Sequence, residues 1–339
     1  MRIPAMNRRG AILGAAAGAA GMSIPGRAQA PLVIKFSHVV ADDTPKGKGS
    51  LKFKELAEKY TQGRVKVEIY PNSQLFKDKE EIEALQLGAV HLLAPSTAKF
   101  APLGAKEFEA LDLPYIFPSA AVWEKVANGP VGKWLFEKLE PKGVRGLGYW
   151  NNGFYLASAN RPLVTPADFR GIKIRISGSK IADQMYRQMG AIPQILAFSE
   201  LYQALQTGVV DACENSASNY WTQKLHEVQT HITLSNHANL QYAVIANLKF
   251  WDGLPTDLRG SLDKAMKEAT DYTNSIAARE NEDALTSIRA ANRAKIIELT
   301  PAQLKQWQDT MRGVHKWAEG RVGKEIIGLL YREAGYVAS

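Results

Sequence analysis

Between residues 31 and 93 strand and helix signals alternate without a break, which restricts the chain to the α/β class. Residues 31–38 carry Val33, Ile34 and Phe36 and read as a strand, and Thr44-Pro45 then signals the start of a helix through Phe53, Leu56 and Tyr60. Residues 65–70 alternate apolar and polar side chains as a second strand, stopped by Pro71-Asn72-Ser73. A helix from Asp78 through Ile82, Leu85 and Leu87 ends at Gly88, and Val90 to Leu93 forms a third strand. Strands separated by helices pair in parallel, with right-handed connections.

The same local unit returns later. Ala84-Leu85-Gln86-Leu87-Gly88-Ala89-Val90-His91 is echoed by Ala204-Leu205-Gln206-Thr207-Gly208-Val209-Val210-Asp211, and each copy leads into a polar loop, Pro95-Ser96-Thr97 or Glu214-Asn215-Ser216. Loops at the carboxyl ends of strands are where α/β sheets bind ligands, so two such units facing each other predict a cleft. Ile172, Ile174 and Ile176 alternate with Lys173, Arg175 and Ser177, a strand whose isoleucine face is buried and whose other face carries Arg175. Ser177-Gly178-Ser179 then caps a helix, so Arg175 stands beside a helix amino terminus, a place suited to a carboxylate. On this strand alone, an arginine on the solvated face of an edge strand remains an equally simple reading.

Residues 144–160 are rich in glycine and aromatic residues, including Gly146, Gly148, Trp150, Gly153 and Tyr155, as expected of a hinge strand that crosses between lobes. Residues 239–247 are the candidate return crossing. From Pro255 to about Ala290 few helix breakers occur; a helix on the order of 45–50 Å long would lie across both lobes as a spine.

The amino terminus differs in kind from the rest. Arg8-Arg9, a weakly apolar Ala/Gly run and Ala28-Gln29-Ala30 predict a signal peptide over residues 1–30, of the twin-arginine type. Its removal takes four arginines and no acid, lowering the formal charge from +8 to about +4. With no basic block interleaved with aromatics, nucleic acid is not an expected partner. The single cysteine, Cys213, follows a buried strand and reads as core. Gly-x-Ser-x-Gly, the phosphate-binding loop and His-Glu-x-x-His are all absent from the sequence, so no enzymatic activity, metal or cofactor is expected.

Long ordered stretches then carry a resemblance: 36–47 (Phe-Ser-His-Val-Val-Ala-Asp-Asp-Thr-Pro-Lys-Gly), 70–75 (Tyr-Pro-Asn-Ser-Gln-Leu), 197–211 and 250–255 (Phe-Trp-Asp-Gly-Leu-Pro). Together they resemble the DctP-type solute receptors of tripartite ATP-independent periplasmic (TRAP) transporters, over almost the whole chain after residue 30. The resemblance implies a two-lobe periplasmic binding protein fold with hinge strands and a long spine helix spanning both lobes. It implies a small organic acid as ligand, C4-dicarboxylate-like or related, delivered to the large and small membrane subunits of a TRAP permease. The expected lobes are 31–152 with 241–280, and 153–240 with 281–339. By the same resemblance Arg175 pairs with the ligand carboxylate, Asn215 contacts it and Phe198 lines the pocket.

Several positions depart from the family pattern. Tyr155 stands where relatives that bind four-carbon dicarboxylates often carry a cation, and Trp221, Cys213, Ser216 and Gly178 also differ. These changes predict a pocket that is more apolar and less cationic. His38, Lys46, Ser96, Thr97 and Tyr242 are candidates for the far end of the ligand. An aromatic or keto monocarboxylate, or a sensor role in place of transport, remains open on these residues.

Overall fold

The computed structural model describes residues 30–337; the expected signal peptide falls almost wholly outside them. The chain runs β1 (Leu32–Ser37), α1 (Pro45–Tyr60), β2 (Val65–Tyr70), α2 (Glu81–Gln86) and β3 (Leu92–Leu93), the alternation read from the sequence. The third strand is shorter than expected, and α2 begins three residues after Asp78. Helices α3 (Ala120–Asn128) and α4 (Pro130–Glu137) then lead to β4 (Val144–Phe154) and β5 (Leu156–Ala159). Next come β6 (Lys173–Ile176), α5 (Lys180–Gln188), β7 (Ile192–Ile195), α6 (Leu201–Gln206), β8 (Ala212–Asn215), α7 (Ala217–Thr222) and β9 (His231–Thr233). The chain ends with β10 (Asn239–Asn247), α8 (Leu248–Asp252), α9 (Thr256–Ala291), β11 (Lys295–Ile297), α10 (Pro301–Val322) and α11 (Lys324–Ala334).

Two sheets result, with strand orders β2-β1-β3-β10-β4 and β11-β9-β5-β8-β6-β7. In the first, β1 pairs in parallel with β2 and β3, while β10 runs antiparallel to β3 and β4. In the second, β6 is parallel to β7 and β8, and β5 is antiparallel to β8 and β9. The chain changes sheet at Tyr155, between β4 and β5, and changes back between β9 and β10. Gly153 makes the first crossing possible: its φ is +86°, and a Cβ there would lie 2.8 Å from the Asn281 amide nitrogen.

The long helix α9 holds these crossings. Its 36 residues span about 54 Å at the standard rise. Leu258, Leu262, Ala265, Met266, Ala269, Ile276 and Ala277 recur at three- and four-residue spacing on its buried face. Asn274 Oδ1 accepts from the Asn151 amide at 2.8 Å, and its Nδ2 donates to the Tyr149 carbonyl at 3.1 Å. One turn pair further on, Asn281 Nδ2 donates to the Asn152 carbonyl at 3.1 Å, and its Oδ1 accepts from the Ser218 amide of α7 at 3.0 Å. The spine is thereby bonded to the hinge strand and to the second sheet's side of the cleft. The carboxyl-terminal helices serve both sides too: α10 packs on α5 and on the 3-10 turn Lys106–Asp112, and α11 packs on α3 and α4.

Candidate ligand-binding site

The echoed sequence units fold alike. Gly88 (φ +77°) and Gly208 (φ +72°) adopt the left-handed conformation that ends α2 and α6. In each copy the chain then turns into a buried strand whose carboxyl end faces the cleft. A cavity of about 40 Å³ lies there, with Val39, Val40, Lys46 and Ser96 from one side and Arg175, Phe198 and Asn215 from the other.

Arg175 is 4% exposed at the end of β6, so it occupies the interior of the cleft and not the solvated face of an edge strand. Its Nε and Nη2 donate to the Leu196 carbonyl at 3.1 and 3.0 Å, and its guanidinium lies 5.7 Å from the centre of the Phe198 ring. These contacts fix the plane of the fork and leave its remaining N–H donors for an anion. Asn215 Oδ1 is occupied, accepting from the Ser216 amide at 3.0 Å and from Asn219 Nδ2 at 2.8 Å. The group Asn215 can offer a ligand is therefore its own NH₂. Asn219 Nδ2 also reaches the Tyr242 hydroxyl at 3.4 Å, and the Asn219 side-chain oxygen, Oδ1, is buried without a partner among the described residues.

On the opposite side Lys46 is buried in the first turn of α1, which Thr44 caps through the Gly47 amide at 3.1 Å. Its ammonium donates to the Ala94 carbonyl at 3.0 Å and lies 3.7 Å above the Tyr242 ring. Burial favours the neutral amine, against which the carboxylates of Glu81 and Asp78 act. Lys99 Nζ pairs with Asp78 Oδ2 at 2.8 Å, and Asp78 Oδ1 accepts from the Phe198 amide of the other wall at 3.2 Å. Burial alone would raise the Asp78 pKa, but Lys99 and then Arg175 outweigh it and hold the carboxyl below its usual range. Glu81 is also buried in the lining, and burial shifts its carboxyl upward.

Of the ten residues singled out from the sequence, Arg175, Asn215, Phe198, Lys46, Ser96, Tyr155 and Tyr242 line this one pocket. His38 and Thr97 are fully buried beneath it, outside the lining. Burial, and then nearby Lys46, bring the His38 pKa down to about 3, so its ring is neutral. Trp221 lies elsewhere: it is 37% exposed and stacks on His226. Cys213 is buried within β8, paired with Ser158 of β5 and Arg175 of β6, and Glu214 accepts from the Tyr186 hydroxyl at 2.8 Å. Sequence reasoning missed Asp78, Glu81, Lys99 and Asn219. In the sequence Asp78 reads only as a helix start, and nothing about Lys99, three residues beyond Ser96, distinguishes it from an exposed lysine. Three cations, Lys46, Lys99 and Arg175, line the pocket together with the acids Asp78 and Glu81, and Tyr155 lines it as well.

Residues 36–320 match DctP, bacterial extracellular solute-binding protein family 7. The chain belongs to the DctP family. It is 57% identical, over 94% of its length and 95% of the relative's, to the C4-dicarboxylate-binding periplasmic protein DctP of Rhodobacter capsulatus. Among solved structures it resembles a TRAP periplasmic solute-binding protein of Shewanella oneidensis with bound succinate. That match has a TM-score of 0.87 and 40% identity, and covers 90% of this chain and 100% of the other. A TRAP solute-binding protein of Pseudomonas aeruginosa with bound L-malate matches at TM-score 0.82 and 39% identity, covering 84% and 99%. DctP proteins are solute receptors and not enzymes, and the two sheets joined by a long helix are their two-lobe fold. In this DctP protein no helix of the described residues is long and apolar enough to cross a membrane.

Proposed function

We propose that this chain is a periplasmic receptor that closes on a C4-dicarboxylate and presents it to the large and small membrane subunits of a TRAP permease. The observation that carries this reading is the placement of cations on both walls of one pocket. Arg175, with the Asn215 amide, takes one carboxylate. Lys46, which has no carboxylate within ion-pair distance among the described residues, faces the other, with Lys99 beside it. Ser96, Tyr155 and Tyr242 offer hydroxyl groups between them, and Phe198, Val39 and Leu240 supply apolar surface for a short carbon chain. The succinate- and malate-bound neighbours and the 57% identical relative support the same ligand class.

The lobes in this reading are 31–152 with 241–280 and 153–240 with 281–339, turning about Tyr155 and the stretch before β10. Ligand binding favours the closed arrangement because only there do both walls reach it. Export by the twin-arginine route completes the proposal. A calorimetric panel of succinate, L-malate and fumarate against aliphatic, aromatic and keto monocarboxylates tests it. Tight binding of dicarboxylates is the expected result, and binding of monocarboxylates alone would contradict it.

A further inference from the structure

Glu81 opens α2 with its side chain in the pocket lining, and both of its carboxylate oxygens are shut off from solvent with no hydrogen-bond partner among the described residues. A carboxylate left in that state carries a large desolvation cost. Burial raises the Glu81 carboxyl more than the charges of Lys46 and Lys99, which favour its ionised form, can lower it, and neither ammonium hydrogen-bonds it. Lys46 on α1 donates to the Ala94 carbonyl, Lys99 in the 3-10 turn after β3 pairs with Asp78, and Arg175 on β6 holds the Leu196 carbonyl. Asp78 repels an ionised Glu81, the Tyr242 and Tyr155 phenols stay neutral because burial raises them, and neutral His38 adds no charge. A ligand dianion entering this space would add two further negative charges.

We propose that Glu81 takes up a proton when the lobes close on the ligand, and that its carboxyl O–H then donates a hydrogen bond to a ligand carboxylate. The proton comes from solvent and returns there on release. In this arrangement Asp78 is, among the described residues lining the pocket, the only ionised acid facing three cations, leaving an excess of two positive charges that matches a dianion. An ionised Glu81 would leave an excess of one and favour a monoanion. Glu81 is thus the residue that sets the charge of the preferred ligand, a role that rests on the carboxylate-receptor reading above.

Linkage fixes the direction. A group whose pKa is higher in the complex than in the open form strengthens binding at low pH, and the affinity falls by up to about tenfold per pH unit between the two values. Burial lowers Lys46 only to about 8, so it stays charged near pH 6.5 and proton uptake measured there reports Glu81; any proton released by Lys46 would appear toward pH 8. The test is calorimetry of succinate binding in buffers of low and high ionisation enthalpy, on the wild type and on Glu81→Gln, which keeps a neutral N–H donor. The wild type is expected to take up about half a proton or more per succinate near pH 6.5 and to lose about threefold or more in affinity by pH 8. Glu81→Gln is expected to bind succinate with neither effect. No net uptake by the wild type, unchanged uptake by the variant, or loss of its binding at every pH would overturn the proposal. Failure of the wild type to bind any dicarboxylate would instead contradict the receptor reading itself.

Discussion

Asp78 Oδ2 stands 3.7 Å from Arg175 Nη2 across the cleft while it pairs with Lys99 on its own side at 2.8 Å. With its other oxygen on the Phe198 amide, this one carboxylate joins the two walls of the pocket. Arg175 therefore meets a charge partner before any ligand arrives, and a ligand carboxylate adds to a fork already held in place.

Asp78→Ala should destabilise the protein by about 3–5 kcal/mol, the cost of leaving a buried partner such as Lys99 uncompensated. Chemical denaturation of the ligand-free protein measures it. The pH dependence has a definite sign. Lys99 and Arg175 hold the Asp78 carboxyl below its usual value. Its contribution is therefore present in full above that value and is lost as pH falls through the lower folded one. Wild type should lose stability below about pH 4 more steeply than Asp78→Asn; parallel curves would show that the pairing is not made.

Gly153→Ala should cost about 1–3 kcal/mol, because the positive φ is retained only with strain and the new methyl meets Asn281. A lowered melting temperature checks this. Asn281→Ala should lower it as well, since the substitution unties both the Asn152 carbonyl and the Ser218 amide. Because the two residues touch, their effects should not add.

Trp221→Ala should leave dicarboxylate affinity within about twofold of wild type, since the side chain stacks on His226 outside the pocket lining. A change of tenfold or more in a binding titration would bring Trp221 back into the site.

These contrasts show what the sequence could and could not carry. Period and punctuation were enough for the α/β class, for a hinge strand within 144–160 and for the spine, because the glycines of that stretch and the unbroken run of α9 are local signals. Arg175 was legible as a strand-end arginine, but its burial depends on Asp78 and Phe198, which lie 97 positions before and 23 after it in the chain. Lys99 and Glu81 gave no distinguishing signal, since a lysine or glutamate in a polar segment usually faces solvent and only the meeting of two sheets encloses these. Trp221 erred in the other direction. It follows Asn219, which lines the pocket, by two positions on a helix, and that spacing turns a side chain by more than half a turn.

The central claim is that Arg175 clamps a dicarboxylate. Calorimetric titration of succinate and L-malate into wild type and Arg175→Ala tests it most directly. Loss of a buried, paired charge should weaken binding by about 2–5 kcal/mol, about 30- to 5000-fold in dissociation constant, with the variant still folded by its melting curve. Equal affinity of wild type and variant for both ligands would contradict it.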